Sequence, residues 1–266
     1  MKKIRFTRKI LTTLLRDKTH YRGRLFVDTA SLVARCGILL LLYYYVFSQN
    51  GGEINNTAYV FVAWSMLLYF IFMTFGLRNV ARSIMQDVQS GTVEILLSRP
   101  MSYLWYKMWW QIGSGLYSFI VSFFLGATTL FLIIGLPHTM LTASFFFTFL
   151  LTSIGTIFLT LLVYTAVGLL SFWIEEVSPI YWIVDKAVMI LGGSYLPIAL
   201  FPPIMYKIAL YSPFGASQFI THTVYESWHY DWPLLISIQL GWIIMMVVVV
   251  YLMFSRARAK VSINGG

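Results

Sequence analysis

Five stretches of this chain, residues 25–47, 59–77, 112–134, 143–172 and 234–254, are each apolar over the length a helix needs to cross a bilayer. That length is roughly 20 residues, set by a hydrocarbon core about 30 Å thick and a rise of about 1.5 Å per residue. A sixth stretch, 181–200, is interrupted by charge, glycine and proline. Only 11% of the residues are charged, against about 25% in an ordinary soluble domain. Such a chain cannot screen these runs from water, and too few residues remain to build a soluble domain. The sequence therefore predicts an all-α membrane protein with six transmembrane helices, forming one domain over residues 1–266.

The net charge of +9 is distributed as a topology signal rather than as a nucleic-acid footprint. Nine cations, from Lys2 to Arg24, precede the first span. Arg78, Arg82, Arg99 and Lys107 lie between the second and third, and Arg256, Arg258 and Lys260 follow the sixth. The first-to-second and third-to-fourth connections hold no Lys or Arg, and the fifth-to-sixth holds only Lys207. The positive-inside rule then predicts both termini in the cytoplasm. The fourth-to-fifth connection, with Glu175 and Glu176 and no cation, fits least well, but acids weigh little in that rule. Residues 1–24 read as a cytoplasmic interfacial helix, with Ile4, Phe6, Ile10, Leu11, Leu14 and Leu15 on one broad face and cations opposite. The basic region is too long, and the first apolar run too complete, for a cleavable signal peptide. Cys36 is the single cysteine, so an intrachain disulfide is excluded.

Polar residues inside the spans are candidates for a transport route or for helix packing. Asp28 and Arg35 fall on one face of the first span, where Arg35 can snorkel, pair or line a pathway. The third span carries Ser114, Ser118, Ser122 and Gly126. The fourth carries Ser144, Thr148, Thr152, Thr156, Thr160, Tyr164 and Gly168. Small and hydroxylated residues at every fourth position let crossed helices approach closely and hydrogen-bond. In the fifth span, Asp185 is offset by its neighbour Lys186, while Gly192, Gly193 and Pro197 mark a hinge, a gate or a kink. The external segment 201–233 is too apolar for a solvated loop. It reads as two short re-entrant helices, one after Pro203 and one over 216–228, with Pro233 opening the sixth span.

Reaction chemistry is missing from the motif list. No phosphate-binding G-x-x-x-x-G-K-[ST] loop occurs, so ATP hydrolysis by this chain is not expected. Neither serine-hydrolase nor zinc-peptidase signatures occur, and His222 and His229 stand seven apart, outside metal-ligand spacing. No metal and no bound cofactor is expected for this chain.

The connection 78–107 is the one substantial polar insert at the predicted cytoplasmic side. Gln86 and Asp87 lie in a polar helical piece that Ser90 and Gly91 break. Thr92 to Arg99 then has the length of a short helix that Pro100 stops, with Val93, Leu96 and Leu97 on one face and Glu94 and Ser98 on another. A helix of this kind can lie on lipid or fit a groove on a partner.

The run Gly91, Thr92, Glu94, Leu97, Ser98, Arg99, Pro100 resembles the signature of the ABC-2-type permeases, the membrane subunits of type-2 ABC exporters. Residues 172–175, 192–202 and 212–216 are similar to one six-span subgroup of that family. The resemblance implies that Gln86 to Pro100 forms a coupling region resting on an ATP-binding cassette subunit. Two copies of that subunit would carry ATP and magnesium. It also implies a second permease subunit, identical or related, in the plasma membrane. A proton-coupled secondary transporter built on Asp185 and Lys186, or a membrane scaffold or sensor that transports nothing, are the alternatives.

Overall fold

Apolar runs become helices here because lipid offers no partner to a backbone N–H or C=O, and a helix satisfies both within the segment. The computed structural model describes residues 12–13, 22–98 and 101–264, with the side chains of 22–32, Ala143 and 261–264 outside the description. The interfacial helix predicted over 1–24 falls almost wholly outside the described residues, as do Arg99 and Pro100 and the side chain of Asp28.

Helix α1 is Arg22–Gln49 and α2 is Tyr59–Met73. A two-residue hairpin joins them, strand β1 (Glu53–Ile54) pairing antiparallel with β2 (Thr57–Ala58). Its loop residues Asn55 and Asn56 both have positive φ, as mirror-image hairpin turns require and asparagine tolerates. The polar insert folds as α3 (Asn79–Gln89) and α4 (Thr92–Leu97), ahead of α5 (Tyr103–Ile134). Then follow α6 (Ala143–Leu169) and α7 (Ser178–Leu191). The returning segment holds α8 (Pro203–Tyr211) and α9 (Pro213–Ala216) before the long α10 (Trp228–Asn264). Among the described residues the protein is all-α apart from that hairpin. Among the described residues three helical segments are long and apolar enough to cross a membrane: Tyr103–Ile134, Ser144–Phe172 and Trp228–Lys260. Val33–Gln49 and Tyr59–Met73 are shorter apolar helices.

Helix α6 is the hub. It packs most extensively on α10, and next on α3. A side chain at Gly168 would collide with Ala81, so α3 lies directly on the C-terminal turns of α6. Val80, Ala81, Ile84 and Met85 bury one face of α3 in this contact. Lys260 donates to the Phe172 carbonyl at 2.8 Å, bringing a cation to the 3₁₀ turn Leu170–Phe172 that ends α6.

Two expectations need correction. Residues 216–228 do not form a second short helix. After α9 the chain makes only a 3₁₀ turn, Phe219–His222. Its hydroxyls bond nearby carbonyls instead, Thr221 to Gln218 and Thr223 to Ile220, the local alternative that disfavours helix. Nor does Pro233 open the last helix: α10 begins at Trp228, whose indole N–H donates to Thr148 Oγ1 at 3.0 Å, and Pro233 lies inside it.

Candidate coupling surface and buried charge pairs

Helix α3 is amphipathic, and its polar residues divide into two groups. Arg82, Gln86 and Gln89 are exposed. Asp87 instead turns inward. Its carboxylate lies 2.6 Å from Lys107 Nζ and accepts from the Tyr103 hydroxyl at 2.8 Å. Lys107 also donates to Ser83 Oγ at 2.7 Å. Asp87 therefore fastens the insert to α5 rather than facing outward.

Gly91 makes the turn between α3 and α4. Its φ is +72°, a left-handed conformation that costs a residue with a side chain about 1–2 kcal/mol. The α4 turn then packs Val93 inward, with Leu96 and Leu97 half-buried, and leaves Thr92, Glu94, Ile95 and Ser98 exposed. The outward strip thus joins Gln86, Thr92, Glu94 and Ser98 around one exposed aliphatic residue, Ile95.

A second charge pair fixes the start of the insert to α7. Asp185 is buried and lies 3.4 Å from Arg78 Nη1, while the Tyr164 hydroxyl donates to the same carboxylate oxygen at 2.9 Å. Arg78, not Lys186, balances Asp185. Adjacent residues on a helix point about 100° apart, so Lys186 faces outward, its Nζ 3.8 Å from Met189 Sδ. Arg82 adds a third contact to α7, its guanidinium 4.7 Å from the Tyr181 ring centre and 5.6 Å from that of Trp182.

The hydroxylated stripe on α6 is buried from Thr148 to Tyr164, while Ser144 at its start is exposed. Thr148 receives the Trp228 indole, Thr152 donates to the Thr148 carbonyl, and Thr156 accepts from Gln239 at 3.4 Å. Thr160 donates to the Ser217 carbonyl and accepts from Gln218. The stripe is a packing seam with polar ties. At its lower end a small cleft of about 40 Å³, room for a water molecule or two, opens among Thr156, Thr160, Tyr164, Arg78, Asp185 and Gln218.

The break after α7 is filled by protein. Gly193 has φ +84°, and a side chain at Gly192 would meet Gln218. The Gly192 carbonyl accepts from Thr221 Oγ1 at 3.4 Å, and Pro197 leads into the 3₁₀ turn Ile198–Leu200. Arg35, in contrast, stands exposed on α1, away from the Asp185 cleft. Where the chain enters α7, Glu176 accepts the Ser178 N–H at 3.0 Å, and hydrogen bonding from the Ser178 hydroxyl, then from this N–H, holds its carboxyl below the usual range.

Sequence reasoning missed Arg78, Lys107, Ser83, Gln218 and Gln239 as members of these networks. Arg78 and Lys107 were visible as the cations bracketing the insert, and charge alone does not say which acid each will meet.

Comparison with curated proteins finds no match. A family model described as ABC-2 type transporter matches residues 9–218, which include the whole of α1 to α9 and both charge pairs. The chain belongs to the ABC-2 type transporter family, and is the transmembrane permease component of an ABC transporter.

Proposed function

We propose that this chain is the permease subunit of an ATP-driven exporter, crossing the plasma membrane six times with both termini in the cytoplasm. Residues 78–107 are its cytoplasmic coupling segment. The observation that carries this reading is the orientation of α3 and α4. A helix built to lie on lipid turns its apolar face outward. Here Ile84 and Val93 turn inward, and the outward strip is polar around Ile95. That strip suits a groove on a separate ATP-binding cassette subunit, present in two copies and holding ATP and magnesium. The permease chain itself contributes no phosphate loop and binds no cofactor. A second permease subunit, identical or related, completes the pathway, and 201–233 is the external re-entrant segment.

When the ATP-binding subunits close, their force falls on Gln86, Thr92, Glu94 and Ser98. The Asp87–Lys107 and Arg78–Asp185 pairs carry it into α5 and α7, so the insert moves with those helices as a rigid unit. The test is co-expression with an ATP-binding subunit. Co-purification and permease-stimulated ATPase activity are expected, both reduced by Glu94→Lys. A complex that never forms, or transport unchanged by both Glu94→Lys and Gly91→Pro, would falsify the reading.

A further inference from the structure

At the end of the bundle opposite the insert, the connection between α5 and α6 meets the returning segment. Three side-chain contacts join this region. Thr139 Oγ1 donates to the Val224 carbonyl at 2.8 Å, the Trp228 indole donates to Thr148 Oγ1 at 3.0 Å, and His138 Nε2 lies 3.3 Å from a Glu226 carboxylate oxygen. Around these ties lie two cavities of about 340 and 320 Å³, and Tyr225 and Glu226 line both. Each falls in the size range of small-molecule sites, roughly 300–1,000 Å³. Among the described residues, Glu226 is the one carboxylate in either lining, and no Lys or Arg belongs to them. The Glu226 side chain is 66% exposed, so a ligand can reach it. Rings wall the first cavity: Phe145, Tyr225, Trp228, Tyr230 and Trp232. The Trp228 N–H is already committed to Thr148, so what it offers a ligand is its ring. Tyr230 is exposed and Trp232 half-buried, which carries the aromatic wall out to the opening. His222, in the lining of the second cavity, is held neutral by burial. The connections at this end, residues 50–58, 135–142 and 192–233, set the acids Glu53, Glu226 and Asp231 against the single cation Lys207. A carboxylate beside ring faces, in a region of negative potential, favours an organic cation and disfavours an anion.

From this we propose that the paired cavities around Tyr225 and Glu226 bind a quaternary ammonium group of the choline type. Its methyl groups rest on Trp232 and Tyr230, and its charge faces Glu226. A quaternary ammonium suits the site better than a primary one, because it has no N–H to satisfy and gives up its water readily to ring faces. Binding does not depend on the coupling reading, which sets only the side of the membrane. In that reading the site faces outward, where the same group is offered by choline headgroups of the outer leaflet or by soluble organic cations.

The experiment uses the full chain in nanodiscs of phosphatidylethanolamine, a zwitterionic lipid without choline, at about pH 8, where an ordinary imidazole carries little charge. The probe is dansylcholine, whose fluorescence reports binding. Tetramethylammonium is expected to displace it, and dimethylbutanol, the uncharged isostere of choline, to do so at least about tenfold more weakly. Glu226→Gln and Trp232→Leu are each expected to weaken probe binding at least about fivefold, while Trp232→Phe keeps most of it. Thermal melting checks that each variant folds. Should Trp232→Leu not fold, Glu226→Gln, at an exposed side chain, decides alone. Weaker probe binding in phosphatidylcholine discs assigns the site to lipid headgroups, and equal binding assigns it to soluble cations. No probe binding in either disc, displacement by dimethylbutanol as strong as by tetramethylammonium, displacement by the neutral sugar maltose, or unchanged affinity in Glu226→Gln overturns the proposal. No arm needs an ATP-binding subunit, so failure here leaves the permease reading standing, and failure of coupling leaves this site standing.

Discussion

The carboxylate of Asp87 and the ammonium of Lys107 meet at 2.6 Å across the joint between α3 and α5. About a tenth of each side chain is exposed. Because neither ion can return to water without moving the helix, the pair makes the insert and the transmembrane helix one mechanical body. Removing one ion leaves the other buried, whereas neutralising both leaves an uncharged joint.

Lys107→Met is therefore expected to lower stability by about 2–4 kcal/mol, the scale for stranding a largely buried charge. The double change Asp87→Asn with Lys107→Met is expected to recover most of that loss. Thermal melting of the detergent-solubilised protein reads both. A double variant no more stable than Lys107→Met would show that the pair does not hold the joint.

At Gly91, backbone conformation can be separated from side-chain contact. A Cβ there meets nothing within 4 Å, so Gly91→Ala carries only the cost of the left-handed φ, about 1 kcal/mol. Gly91→Asn should cost less, since asparagine visits that region more readily. Gly91→Pro cannot adopt φ +72° and should abolish coupling to an ATP-binding subunit. ATP-dependent flux against melting temperature separates the effects: alanine should change neither strongly, and proline should stop flux.

Residues 214–225 form the inner part of the returning segment, and His222 is buried there against Phe219 and Tyr206. Burial pushes its imidazole down to about 4. The folded protein therefore holds this histidine neutral where the unfolded chain, near its ordinary 6.5, binds a proton. The unfolded state binds more protons between those values, so stability is full above pH 6.5 and declines as pH falls towards 4. His222→Phe should flatten that decline. Melting temperatures from pH 7 to pH 4 check it, and equal slopes for both proteins would refute it.

The contact of α6 with α10 rests on Gly155, where an added side chain would collide with the Gln239 amide. Gln239 in turn donates to the Ala216 carbonyl at 3.0 Å and to Thr156. Gly155→Val is expected to displace Gln239 and cost about 2–3 kcal/mol, from a lost buried amide and overpacking. Gln239→Leu in the same background should restore part of it, read by melting or by protease resistance.

Much of the fold was legible because lipid imposes a simple rule. Runs such as 112–134 and 143–172 can only be helical, and α5 contains the first while α6 and the 3₁₀ turn after it, Leu170–Phe172, make up the second. Periodicity on the insert was equally direct, since Val93 is buried and Glu94 and Ser98 are exposed, as their spacing requires. What the sequence hid was pairing between distant elements. Nothing local distinguishes Arg78 from Lys186 as the partner of Asp185. Lys186 is adjacent in sequence and points elsewhere, while Arg78 is distant and arrives through the α2–α3 turn. The segment 216–228 misled for a related reason: its composition tolerates helix, but burial lets its hydroxyls take over the backbone's hydrogen bonds. Asp87 reads as a surface residue until Lys107 and Tyr103 are brought beside it.

Helix α7 stops after fourteen residues, a rise of about 21 Å, some 9 Å less than the hydrocarbon layer it would have to cross in the six-span arrangement. The remaining depth falls to residues 192–202, whose peptide groups are held by side chains from elsewhere: the Tyr43 hydroxyl on the Tyr195 carbonyl at 2.7 Å, and Thr221 on that of Gly192. A helix can tilt or slide only as a whole, because its hydrogen bonds run from turn to turn. Residues 192–202 are held instead by these hydroxyls and by short-range bonds such as Ser194 N–H to the Met189 carbonyl and Leu200 N–H to that of Pro197, which can re-form one at a time while the helices on either side stay still. In the six-span arrangement, this segment would be the part of the crossing that changes shape without unwinding a long helix.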